Sequence, residues 1–158
     1  MTTPPRRIRY DDLPALEAAV SSEFCDWGPS FRVTQELITT FARLTRDEFW
    51  LHVDPERAKR DSPTGTTLAH GFLVLSLVPA LQTPSPVEVT DFRRAFNAGL
   101  DRVRFVRPVP VDSDIHGRMR LAEARAGGRG TRLRFELQIE VVGDSAPAVV
   151  YELLVAYE

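Results

Sequence analysis

Asp47 and His52 stand five residues apart in the stretch "TRDEFWLHVDPERA", and the chain contains three histidines in all. A carboxylate and an imidazole brought to one point form a candidate general acid–base couple for moving a proton at neutral pH. The same two residues also suit a structural loop pair, because ion pairs in folded proteins are often only structural. The spacing alone does not choose between them. The other histidines have plainer readings: His70 caps or packs at the start of an apolar helix, and His116 sits on the exposed face of a strand beside Arg118. Cys25 is the single cysteine, which rules out an intramolecular disulfide and a cysteine-based metal site, and it reads as a structural thiol.

The elements around the couple must deliver it. Thr34 is placed to cap a helix whose Leu37, Ile38, Phe41 and Leu44 share one face, and that helix carries the chain to Asp47. Residues 47–63 are polar and punctuated by Pro55 and Pro63, so they read as an excursion with one short helical turn near "PERAKR". Residues 69–81 are almost wholly apolar. Their length favours a helix surrounded by protein, bending or ending near Pro79, which has no N–H for the carbonyl of Leu75. A short helix is expected over 13–20. Residues 1–9 hold two prolines, three arginines and no apolar periodicity, and read as a flexible N-terminal tail. The remainder, 10–158, reads as a single domain.

Beyond "QTPSP" the pattern changes to period two. In "RLRFELQIEVV", Leu133, Phe135, Leu137, Ile139 and Val141 alternate with Arg134, Glu136, Gln138 and Glu140, which predicts a strand with one core face and one wet face. "VVYELLVAYE" repeats the alternation, and Val103, Phe105, Ile115, Met119 and Leu121 mark two more strands flanking "RPVPVDSD". Turns at "AGGRG" and "GDSAPA" join three of these strands as an antiparallel meander. The class is therefore α+β, a helix buried against one face of a curved sheet.

Composition narrows the function. The 158 residues are 43% hydrophobic and 27% charged with a net charge of −2, unlike the strongly basic domains that bind phosphate backbones, so nucleic acid is not an expected partner. Of the 20 basic residues only Lys59 is a lysine. The N-terminus lacks a signal-peptide apolar run, and "GFLVLSLVPAL" is about half the ~20 residues needed to cross a bilayer. No membrane association is expected, and a reducing cytoplasm suits the lone cysteine.

Taken as one piece, "FARLTRDEFWLHVDPERA" and "SPTGTTLAHGFLVLSLVP" resemble the MaoC-like enoyl-thioester hydratases and dehydratases, in particular the NodN-like branch. The resemblance rests on Phe41-Ala42, Asp47, His52, Ala58 and Ala69-His70-Gly71, in order and with family-like spacing. "FNAGLDRVRFVRPVPVDS" resembles the strand that follows in that branch. The resemblance implies a hotdog fold, a long central helix wrapped by an antiparallel sheet, assembled as a homodimer. It implies reversible syn addition of water to a trans-2-enoyl thioester, carried on coenzyme A or acyl carrier protein, giving an (R)-3-hydroxyacyl thioester. No metal or redox cofactor is implied. Asp47 and His52 would share the attacking water. The Gly71 amide, at a helix start where N–H groups are unpaired and the dipole is favourable, would donate to the thioester oxygen. Ala69 and Phe49 would line the substrate site beside it.

Three positions depart from the family pattern. Arg46 stands where Gly is common and could lower the pKa of Asp47 or reach a ligand phosphate. Phe49 replaces a polar Asn or Gln and cannot hydrogen-bond the water. Ala98 replaces a Tyr, which would widen the acyl pocket. Two competing functions share the fold: an acyl-thioesterase, which directs water to the carbonyl, and a non-catalytic acyl-binding or partner subunit.

Overall fold

A five-stranded antiparallel sheet forms the body of the protein and a short apolar helix packs against it. The computed structural model describes residues 4–128 and 130–158. Along the chain these form β1 (Arg6–Arg9), α1 (Leu13–Glu17), β2 (Phe31–Val33), α2 (Gln35–Thr45), α3 (Trp50–Val53), α4 (Pro55–Asp61), α5 (Gly71–Ser76), β3 (Val87–Thr90), β4 (Ala95–Phe105), β5 (Ser113–Gly127), β6 (Gly130–Val141) and β7 (Val149–Tyr157). The large sheet has the order β2-β5-β6-β7-β4, and β1 pairs with β3 in a separate parallel ribbon.

The predicted meander is β5-β6-β7, with Leu121 opposite Phe135 and Phe135 opposite Leu153. Its first turn includes Arg129, which lies outside the described residues. Along β6, Leu133, Phe135, Leu137 and Ile139 are all buried, as period two requires. The opposite face is not simply wet. Phe24 and Trp27 lie over Arg118, and Phe24 also lies over Arg120, so residues 21–28 cover part of it. His116 belongs to this cover: its ring stacks on Trp27 at 4.1 Å and its Nε2 is 3.0 Å from Glu140. The expected exposed strand residue is thus half-buried and paired, because a non-regular segment docks where sequence periodicity shows only polar residues.

Four other expectations change. Arg6–Arg9 are not a loose tail: Ile8 is buried and the four residues pair in register with Val87–Thr90. Residues 1–3 lie outside the described residues. The apolar run 69–81 is not one long helix. Its α-helix ends at Ser76, whose hydroxyl donates to the Leu73 carbonyl, and the run continues as turns in which Leu77 and Ala80 bond three residues back. Pro79 removes the N–H that would have continued the α-helical ladder. Leu44 is exposed, and Ala42 supplies the buried position beside Ile38 on α2. The polar excursion contains two helices, α3 and α4, instead of one turn.

Leu73 and Val74 of α5 are buried in the same core as the inward residues of β5, β6 and β7. This is the hotdog arrangement. Sheet edges are the three-residue β2 and the eleven-residue β4, and β4 is exposed along most of its length. No helix among the described residues is long and apolar enough to cross a membrane.

Candidate active site

Asp47 and His52 reach one another because two short connections are pinned at both ends. Thr34 caps α2 by accepting from the Leu37 N–H, and α2 closes at Arg46, whose left-handed backbone (φ 62°, ψ 24°) turns the chain towards Asp47. His52 follows on α3. Gln35, the first residue of α2, donates to the His52 carbonyl at 2.8 Å and accepts from the buried Thr67 hydroxyl at 2.5 Å. Residues 67–69 are held in turn, because Ala69 donates to the Val109 carbonyl, Val111 donates to that of Thr67, and Leu68 donates to that of Leu51. Gln35 therefore joins α2, α3 and the approach to α5. No sequence signal marked it, since a glutamine after a helix cap is unremarkable.

Hydrogen bonding identifies the donating ring nitrogen of both histidines. His52 Nδ1 lies 2.7 Å from the Leu68 carbonyl oxygen. A carbonyl only accepts, so Nδ1 carries the hydrogen, and in the neutral imidazole the lone pair is then on Nε2, the form a general base needs. His70 Nε2 lies 2.9 Å from the backbone carbonyl of Asp47 and 3.9 Å from its carboxylate. His70 is therefore the opposite tautomer. Its ring stacks on His52 with centroids 3.7 Å apart, and Phe41 packs against it at 5.1 Å.

One polar atom from each of Asp47, His52 and His70 falls within 4.8 Å of the others, a gap one water can bridge. The same three residues could be read as a cation site. His70 argues against that reading: its Nε2–H is engaged by a carbonyl, and its Nδ1 is buried without a hydrogen-bond partner among the described residues. Rotating the hydrogen to Nδ1 to free Nε2 for a metal would bury an unsatisfied donor, which costs about 1–3 kcal/mol.

The remaining predicted residues are placed as follows. Gly71 opens α5, where no carbonyl of the helix can reach its N–H. With only six residues the helix supplies little dipole, so the amide itself is the donor on offer. A side chain at Gly71 would meet the Phe105 ring, its Cβ 2.7 Å from Cδ1. Ala69 lines the same groove of about 210 Å³ as Gly71 and Phe105, but its N–H is already given to Val109. Phe49 is 54% exposed and presents its ring edge-on to His52 with centroids 6.4 Å apart. Arg46 makes no ion pair with Asp47 among the described residues; the carboxylate faces His70 instead. Ala98 does not border the apolar cavity next to α5: Asn97 and Gly99 line that cavity, while Ala98 sits at the β4 bulge and faces Glu123 and Arg134. Cys25 is remote from this cluster, and burial together with Asp26 pushes its thiol up, away from the reactive thiolate.

Residues 23–141, which contain every residue of this cluster, match the MaoC like domain. The chain belongs to the MaoC-like family. Among its curated relatives, 3-hydroxyacyl-thioester dehydratase Z of Mycobacterium tuberculosis is 42% identical over 151 residues, covering 94% of this chain and 97% of its own. Nodulation protein N of Rhizobium leguminosarum bv. viciae is 39% identical over 118 residues, 74% of this chain and 73% of its own. The fold is shared with the (R)-hydratase from A. caviae involved in PHA biosynthesis, at a TM-score of 0.68 and 24% identity, over 87% of this chain and 98% of that one.

Proposed function

We propose that this MaoC-like protein catalyses reversible syn addition of water to a trans-2-enoyl thioester, on coenzyme A or acyl carrier protein, giving the (R)-3-hydroxyacyl thioester. The observation that carries the proposal is that a carboxylate oxygen of Asp47 lies within 4.8 Å of a ring nitrogen of His52, whose Nδ1 is held by the Leu68 carbonyl, beside Gly71, whose amide no carbonyl of α5 can reach. Membership of the MaoC-like family and the 42% identity to a protein named as a 3-hydroxyacyl-thioester dehydratase support hydration and dehydration of acyl thioesters as the reaction class.

In the hydration direction one water lies between Asp47 and His52. The couple takes a proton from it as its oxygen bonds to the β-carbon, and the double-bond electrons move to the α-carbon and the thioester oxygen. The Gly71 N–H stabilises the charge developing on that oxygen. The couple then gives a proton to the α-carbon on the same face, so it ends as it began. Phe49 offers no hydrogen bond to the water and flanks it with an apolar ring. An apolar cavity of about 430 Å³ between α5 and the β4 and β7 strands, lined by Phe72, Leu75, Val78, Leu100 and Leu153, suits an acyl chain.

A homodimer is part of this reading. Phe96, Leu100 and Phe105 on the β4 edge and Phe72 on α5 are all exposed, an apolar strip of the kind that a second sheet edge covers. A reducing cytoplasm suits both the thioester substrate and the free Cys25.

Hydration run in D2O tests the geometry. Water and proton delivered by one couple must enter the same face, so the single deuterium at the α-carbon should lie syn to the new hydroxyl, and the (R)-alcohol follows from which face of the enoyl group is turned to the couple. Anti addition would show that Asp47 and His52 do not deliver both, and a syn (S)-alcohol would show that the opposite face is presented.

A further inference from the structure

His70 is 4% exposed and belongs to no step described above, yet it touches every part of the site. Through Nε2–H it holds the backbone carbonyl of Asp47, on the loop that follows α2. Through its ring it stacks on His52 of α3. Through the chain it is joined to Gly71, and it occupies the cap position of α5 without making a side-chain cap bond. A residue kept only to cap the helix would point a side-chain acceptor at the helix amides; His70 instead donates away from the helix, to Asp47. Nor is packing enough to explain it. Its Nδ1 is buried with no hydrogen-bond partner among the described residues, a cost that a phenyl ring in the same place would avoid.

We propose that His70 is a positioning residue, fixed as the Nε2–H tautomer, that tethers the Asp47 loop and backs the His52 ring so that the two catalytic groups face one water. The charged and titratable groups that face it are the Asp47 carboxylate at 3.9 Å and the stacked His52 ring; Phe41, on α2, contributes only its apolar face.

The kinetic test rests on the hydratase reading, and a spectroscopic test does not. His70→Phe keeps a ring between Phe41 and His52 and removes the tether; His70→Gln returns an N–H donor near the same place. His70→Phe is expected to lower kcat by about 10-fold or more with KM within about twofold and an unchanged melting temperature, as for a loss of orientation without loss of binding. His70→Gln should recover most of that loss. Full kcat in His70→Phe, or equal losses in both variants, would overturn the tether. Long-range 1H–15N spectra of the wild-type imidazoles read the tautomers without substrate. They should show His70 protonated at Nε2 and His52 at Nδ1, and His70 found protonated at Nδ1 would also overturn the proposal. Wild-type protein that turns over no enoyl thioester but shows these tautomers would count against the hydratase reading alone.

Discussion

Arg46 holds a backbone conformation (φ 62°) that glycine adopts freely and other residues adopt at a cost of about 1–2 kcal/mol, partly offset by the greater freedom of an unfolded glycine. This gives a physical reason for glycine being common at that position in the family: the turn that aims Asp47 needs the left-handed region, whichever side chain is present. Arg46→Gly should therefore raise stability by about 0.5–1 kcal/mol, read by thermal or denaturant unfolding. A loss of stability would mean that the arginine side chain makes compensating contacts. Asp47 and His52 were legible in the sequence because their spacing and the flanking residues form a pattern. His70 and Gln35 were not. Their roles depend on hydrogen bonds to the carbonyls of Asp47 and His52, and a backbone carbonyl has the same sequence signature everywhere.

Phe105 on β4 and Gly71 on α5 show how the elements constrain one another. A methyl at position 71 would sit 2.7 Å from the Phe105 ring, while that ring is half exposed and has somewhere to go. Gly71→Ala is expected to cost about 1–3 kcal/mol in unfolding free energy, the usual range for overpacking. Phe105→Ala in the same chain should relieve most of that penalty, whereas strictly additive losses would show that the two elements do not press on each other. The long strands were legible because β6 buries alternate residues from Thr131 to Ile139, and β5 and β7 repeat that pattern in shorter stretches. The short elements were not. β1 is four residues with three arginines and finds its partner about eighty residues away, and β2 and α3 have only three and four residues, too few for periodicity to register. The break near Pro79 was legible from its missing N–H, but the apolar run 69–81 is not surrounded by protein: Leu73, Val74, Leu77 and Leu81 are buried while Phe72 is exposed, because hydrophobicity alone does not say which face of a run meets the core.

At the scale of the whole molecule, the open edge of β4 and the exposed phenylalanines beside it are the surface that the proposed homodimer would cover. Light scattering should find a homodimer at low micromolar concentration, since stable interfaces commonly bury about 1,600 Å². Leu100→Asp, which places a carboxylate in that strip, should shift it towards monomer. A wild-type monomer at that concentration would contradict the proposed homodimer. The central claim, that this protein adds water to an enoyl thioester through Asp47 and His52, is tested most directly by following enoyl absorbance and free thiol together on one trans-2-enoyl-CoA. The wild type should consume the enoyl group without releasing thiol. Asp47→Asn and His52→Ala should each lower turnover by about 10² or more, and the double variant should be little worse than either, as for two groups acting as one unit. Thiol release by the wild type, or losses that multiply in the double variant, would contradict the account.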